Sequence, residues 1–181
     1  MSESLPDLMR RLTLGVYVVG VCEGDRPNAF TACSLMPVSF DPVLLALAIG
    51  RDHASLPMLR AAGHFTVNVL ERGQLALARH FGSSSAREHD KLAGVAWRPS
   101  PAGAPLLADA LACLVCEVQG AATRAGDHEL FVARVTSGTL QAAQACPMSY
   151  AQTANMDGSA ALYAQRRVPD ALAPHEPTEH H

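Results

Sequence analysis

The chain has 181 residues, 49% hydrophobic and 17% charged, with a formal net charge of −3. That length fits one domain with or without a tail, and that composition can bury a core. The small negative charge, an isoelectric point near 6.2 and only 5% aromatic residues argue against a nucleic-acid face or a base-stacking platform.

In chain order, Ser4, Pro6 and Asp7 mark a helix start, with Leu8, Met9 and Leu12 as its apolar stripe and Gly15 as its end. Val16–Val21 is a β-branched run and predicts a strand. Gly24-Asp25-Arg26-Pro27 predicts a turn, and Phe30–Phe40 the second strand of a hairpin. Asp41-Pro42 ends that strand, and Val43–Ile49 reads as a strand covered on both faces. Ser55-Leu56-Pro57 opens a helix with Ser55 as N-cap and Gly63 as terminator. His64–Leu70 alternates as a strand, and Gln74–Phe81 forms a helix with Leu75, Leu77, Ala78 and Phe81 apolar. Gly82–His89 is a polar loop, and Arg87, Glu88, Asp90 and Lys91 read as solvated charges. Val95–Arg98 predicts a short strand and Pro99–Pro105 a loop. Leu111–Val118 and Glu129–Val135 are two further strands, parted by a turn at Ala125-Gly126-Asp127. Pro169–His181, with three prolines and no apolar period, reads as a mobile tail. Six or seven strands at hairpin spacing with three short helices suggest a Greek-key barrel more than a doubly wound sheet.

The most apolar run, Val43–Ile49, is far shorter than the roughly 20 residues of a membrane span. Met1–Arg11 carries Glu3 and Asp7 and lacks the apolar core of a signal peptide, so a cytoplasmic protein is expected. The five cysteines make an odd count, unlike a disulfide framework. Cys113 and Cys116 form a lone C-x-x-C whose spacing puts the two thiols on opposite faces of a strand, so both read as small hydrophobes. His80 and His89 have no third ligand at helical spacing, and no metal is expected.

The chemistry concentrates in four places. Arg26–Pro42 sets Asn28, Thr31, Ser34 and Ser39 in an apolar strand, with Ala29, Ala32 and Cys33 leaving room for a flat ligand against the backbone. A flavin suits such a slot, since its ring needs apolar walls and its nitrogens and oxygens need amides and hydroxyls. Ala48–Ser55 opens a helix, and Arg51 and Ser55 there suit a phosphate. Arg79-His80-Phe81 ends a helix, and Gly126-Asp127-His128 starts a strand.

With these residues in view, the chain resembles the flavin reductase-like, FMN-binding split-barrel family. The markers are N-A-F-T-A-C-S-L-M-P-V-S-F-D-P (Asn28–Pro42), F-T-V-N-V-L (Phe65–Leu70), D-K-L-A-G-V (Asp90–Val95), G-A-P-L-L (Gly103–Leu107) and G-D-H-E-L-F-V (Gly126–Val132). Each is weak alone, and their shared order from Leu8 to Tyr150 carries the resemblance.

The resemblance implies a mainly β protein with short helices, a split β-barrel of Greek-key type over residues 1–150, and a C-terminal extension over 151–181. It implies that Pro27, Asn28, Ala29, Phe30, Thr31, Cys33 and Ser34 line the flavin ring and ribityl chain. Ala48, Ile49 and Gly50 would back the ring or chain, and Ala54 and Ser55 would cap the phosphate, beside the Arg51 that the helix start already offers. His80 and Phe81 would close the site, and His128 would sit by the nicotinamide of NAD(P)H as the catalytic contact. The implied cofactor is FMN, with FAD as the alternative, and NAD(P)H is the co-substrate. A homodimer and a partner monooxygenase that takes up reduced flavin follow from the same resemblance. The alternative is a non-enzymatic FMN-binding electron-transfer protein reduced by another protein. Two departures stand out: Ala133 occupies a position where the family usually has glycine, and Tyr150 is followed by Ala-Gln-Thr-Ala-Asn rather than an aromatic-Arg-Gly-x-Tyr stretch.

Overall fold

A computed structural model describes residues 5–83 and 90–163. After a short helix, Leu5–Met9 (α1), the β-branched run becomes Tyr17–Glu23 (β1), which forms a hairpin with Arg26–Ala32 (β2). The turn between them is Gly24-Asp25, where Gly24 has a φ of 59° that glycine adopts without strain. Leu35–Phe40 (β3) pairs with Val43–Gly50 (β4), and helix Leu56–Ala62 (α2) leads to His64–Val69 (β5). Helix Leu75–Gly82 (α3) precedes the small hairpin Trp97–Pro99 (β6) and Pro105–Leu107 (β7). Ala112–Val118 (β8), Thr123–Ala125 (β9) and His128–Leu140 (β10) follow, then a single-turn helix at Tyr150–Thr153 and helix Ser159–Tyr163 (α4).

The main sheet runs β2-β1-β5-β8-β10-β4-β3, with β9 beside β10. Its two outermost strands, β2 and β3, are consecutive in the chain and joined by Cys33 and Ser34 alone. A sheet whose opposite edges are linked by two residues must roll up, and here it stays open along that seam. The fold is therefore mainly β with short helices, in a rolled but unclosed sheet.

Strand alternation sorts the core into two layers. Val19, Val21, Phe30, Leu35, Leu45, Leu47, Ile49, Phe65, Val67, Cys116, Phe131 and Ala133 fill the interior of the roll, and α2 adds Leu56 and Leu59. The alternate residues Val18, Ala29 and Cys113 pack outside against Ala78 and Phe81 of α3 and Leu106 and Leu107 of β7. Cys113 and Cys116 thus belong to different layers, as their spacing predicts. Gly20 permits the close approach of β7: a Cβ there would lie 2.7 Å from the Pro105 carbonyl oxygen. Asn68, wholly buried, fastens the same hairpin by donating to the Val18 and Pro105 carbonyls and accepting from the Leu107 amide at 2.8 Å. No helix among the described residues is long and apolar enough to cross a membrane.

Four expectations need correction. Phe30–Phe40 is not one strand but parts of two, because the chain crosses from one sheet edge to the other at Cys33-Ser34, where no single ladder can follow it. The first helix ends at Met9, well short of Gly15, and its stripe is not buried: Leu8 is 44% and Leu12 54% exposed. An extra strand, β9, lies between β8 and β10, since the 123–130 segment folds back on itself around Gly126-Asp127. Lys91 is only 4% exposed rather than solvated, because its ammonium donates to the Phe81 and Ser83 carbonyls left without partners at the end of α3. The expectations for Ser4, the loop residues 84–89 and the tail 169–181 lie outside the described residues.

Candidate flavin site

The four sequence segments meet at one end of the roll. The β4–β10 ladder places His128 opposite Gly50 and Leu130 opposite Ala48, and the Arg51 amide donates to the Asp127 carbonyl at 2.9 Å. The second and fourth segments are thus neighbours by strand register. The Asn28 amide donates to the Ser55 hydroxyl at 3.2 Å, and the Phe30 ring lies 4.7 Å from the His53 ring, so β2 also touches the turn before α2. The Thr31 hydroxyl donates to the Ala78 carbonyl at 2.7 Å and ties β2 to α3, which carries His80 and Phe81.

Alternation divides the expected lining residues between two faces. Phe30 points into the roll with Ile49, while Ala29 faces the outer layer with Phe81, and all four side chains are buried. Such residues can offer a ligand backbone groups and support but not side-chain contact. Thr31, Cys33, Ala48, Gly50, His80 and His128 are half-buried, and Ser34, Arg51 and Ala54 are exposed. Pro27 and Asn28 are half-buried on β2. On the outward face of β4, Ala48 and Gly50 place nothing larger than a methyl group.

Ser55 holds the N-cap position of α2 by sequence and place, but its side chain makes no capping bond. Its hydroxyl is wholly buried and engaged by Asn28, and its backbone amide donates to Nδ1 of His53 at 3.1 Å. His53 was not expected to matter, although it lies inside the A-I-G-R-D-H-A-S stretch. A histidine two residues before a helix N-cap is the signal for it, since its imidazole can accept from the N-cap residue's own amide. Burial, and then the nearby Lys91 ammonium, hold the His53 imidazole below its ordinary range against the opposing pull of Asp52.

His128 is 44% exposed at its side chain, and its Nδ1 lies 2.8 Å from the Asp127 carboxylate. His80 contacts the Lys91 carbonyl through Nε2 at 2.7 Å, which links α3 to the start of the Asp90–Val95 segment. Ala133 buries its methyl group wholly inside the roll.

The C-terminal segment reaches this end of the roll too. A Cβ on Gly82 would lie 3.3 Å from the Met156 methyl and 3.7 Å from the Thr31 Cβ, so Met156 sits in the corner between β2 and α3. The Tyr150 hydroxyl donates to Asp157 at 2.7 Å and lies 2.7 Å from the Ser159 hydroxyl. Burial, then the Asp157 carboxylate, push the Cys33 thiol above its ordinary range, which disfavours its thiolate. Among the described residues no three His, Cys, Asp or Glu side chains gather as a metal ion would need.

A family profile described as "Flavin reductase like domain" matches residues 9–169. The high molecular weight rubredoxin of Moorella thermoacetica is 32% identical over 144 residues, which are 79% of this chain and 62% of that one. A protein of Mycobacterium tuberculosis named "Flavin-dependent monooxygenase, reductase subunit HsaB" is 33% identical over 123 residues, 68% of this chain and 64% of that one. The chain thus spans less than two thirds of either relative's length. Among solved structures, the Streptomyces globisporus C-1027 NADH:FAD oxidoreductase SgcE6, in complex with NAD and FAD fragments, superposes with a TM-score of 0.75 at 30% identity, covering 94% of this chain and 99% of that one.

Proposed function

Because the chain belongs to the flavin reductase-like domain family, we propose that it is an NAD(P)H:flavin oxidoreductase that binds FMN, with FAD as the alternative. The observation that carries this reading is the meeting of Asn28–Ser34, Ala48–Ser55, His80-Phe81 and Gly126–His128 at one end of the roll. The residues present fit a flavin. The backbone of β4 is bare at Ala48 and Gly50, and Ser34, Arg51 and His128 border it with hydroxyl, cationic and imidazole groups. When bound, the flavin supplies a ring that accepts a hydride from reduced nicotinamide.

The chain's own residues hold and orient. Pro27 to Thr31 with Cys33 and Ser34 form one wall, and Ala48, Ile49 and Gly50 the backing. Arg51 and Ala54 face an anionic tail, and Ser55 supports them from below through Asn28. His80 and Phe81 brace the closing edge. His128 is the nicotinamide contact, with Asp127 fixing its ring. Its role is to orient, and no proton need pass through it.

The same reading makes the protein the reductase half of a pair, as the Mycobacterium relative's name states of that subunit, with reduced flavin passed to an oxygenase. It also makes it a cytoplasmic homodimer. Support for the dimer comes from edge strand β3 and its neighbour, which expose Met36, Val38, Phe40 and Val43.

Anaerobic stopped-flow mixing of the FMN-loaded protein with NADH and with NADPH tests the reading. Bleaching of the oxidised flavin band with at least one of them is the expected result. A protein that binds FMN but is bleached by neither is the electron-transfer alternative, and one that binds no flavin is neither.

A further inference from the structure

We propose that His53, as a neutral imidazole carrying its proton on Nε2, is a positioning residue that holds the Gly50–Ser55 turn in its flavin-binding shape, so that flavin affinity falls when the ring takes a second proton. The inference rests on the flavin reading and adds a proton-linked control that this chain's own residues build.

The geometry assigns the tautomer. The Ser55 amide donates to Nδ1 of His53 at 3.1 Å, so Nδ1 is an acceptor and the neutral ring carries its proton on Nε2. The ring is held on its other side by Phe30, with centroids 4.7 Å apart and planes tilted by 51°. Its backbone continues the lock: the His53 amide donates to the Gly50 carbonyl at 3.0 Å, and its carbonyl accepts from the Leu56 amide at 3.0 Å. One residue therefore joins the end of β4, the start of α2 and the core ring of β2. Ser55 passes that placement on to Asn28 through its hydroxyl.

A proton on Nδ1 would set two N–H groups against each other. The Ser55 amide would lose its acceptor in a buried place, and the ring would have to leave Phe30 or the turn would have to open. Of the two charged groups that act on the ring, the stronger works in the same sense. Lys91, after α3, disfavours the cation, and Asp52 on the same turn opposes it more weakly. Arg51 is the turn's other charged residue, β2 carries only Arg26, at its first residue, and α2 only Arg60, which is paired with Glu129. The arrangement thus disfavours a second proton on the ring.

Two measurements test this. Long-range nitrogen–proton NMR on the flavin-free wild type should show His53 with a bare Nδ1 and a protonated Nε2. A protonated Nδ1 near neutral pH overturns the proposal whatever the flavin does, and this arm needs no variant to fold. FMN titrations should then give a Kd that rises about fivefold in the wild type between about pH 7.5 and about pH 5.5. In His53→Asn, whose amide oxygen can accept from Ser55 but does not titrate, that rise should shrink to what FMN's own phosphate imposes on both proteins. Equal pH slopes in the two proteins, or a wild-type affinity that climbs under acid, overturn it. With the expected tautomer present but no FMN bound by either protein at any pH, it is the flavin reading that fails.

Discussion

The Asn28 side-chain amide donates to the buried Ser55 hydroxyl at 3.2 Å, across 27 residues of sequence. The bond joins the strand expected to wall the flavin to the turn expected to hold its phosphate. Asn28 also packs its amide near the Met58 sulfur at 3.9 Å, so the start of α2 rests on it twice.

Asn28→Ala should therefore loosen flavin binding while the protein stays folded. It loses the bond to Ser55 and the Ala29 amide's bond to its Oδ1 at 2.9 Å, at about 1 kcal/mol of stability each. The turn that it leaves unsupported should raise the FMN Kd about tenfold, measured by quenching of flavin fluorescence. An unchanged Kd with a lowered melting temperature would show that the bond serves the fold alone.

His128 stands at the first residue of β10, opposite Gly50, with nearly half its side chain in solvent. Replacing it should not disturb the core. His128→Ala is expected to keep the FMN Kd within about threefold while slowing flavin reduction by NADH about tenfold or more, a loss of about 1.4 kcal/mol of transition-state stabilisation. Rapid-mixing kinetics across a range of NADH concentrations check this, and unchanged reduction would remove His128 from the site.

Asn68 is the polar pin beneath the β6–β7 hairpin. Asn68→Leu would leave the Val18 carbonyl and the Leu107 amide without their Asn68 partner in a dry place, while the Pro105 carbonyl keeps the Thr66 hydroxyl. At about 1–3 kcal/mol for each unsatisfied group, a loss of at least about 2 kcal/mol is expected. Trp97, the one tryptophan of the chain, lies on β6 of that hairpin, so its emission in a urea titration reports the undocking directly.

The Tyr150 phenol is pushed up to about 12, chiefly by burial and then against the Asp157 carboxylate that accepts its proton. Its folded pKa lies above the unfolded value near 10, so this contribution to stability is complete below about pH 10 and is lost as pH rises toward 12. The Tyr150 phenol should therefore ionise near pH 12. Near-ultraviolet absorbance against pH should lose that step in Tyr150→Phe, and that variant should show a shallower alkaline loss of stability.

Local pattern alone determined much of this protein. β-branched runs, turn residues and capping signals placed most strands and the two longer helices, because each depends on neighbours a few residues away. The C-x-x-C spacing assigned its thiols to opposite faces for the same reason. The four segments of the candidate site also stood out, since small residues, hydroxyls and a histidine in an apolar run are a local chemical signal.

What only the tertiary structure decided was how distant segments share space. The break at Cys33-Ser34 exists because β2 and β3 sit on opposite edges of a rolled sheet, a constraint absent from the propensities of Phe30–Phe40. Lys91 reads as a surface charge until the end of α3 arrives to offer it two carbonyls. His53 reads as a loop residue until Phe30 and the Ser55 amide hold its ring. In each case the deciding partner is a backbone group or ring brought near by the fold, and no pattern along the chain encodes that encounter.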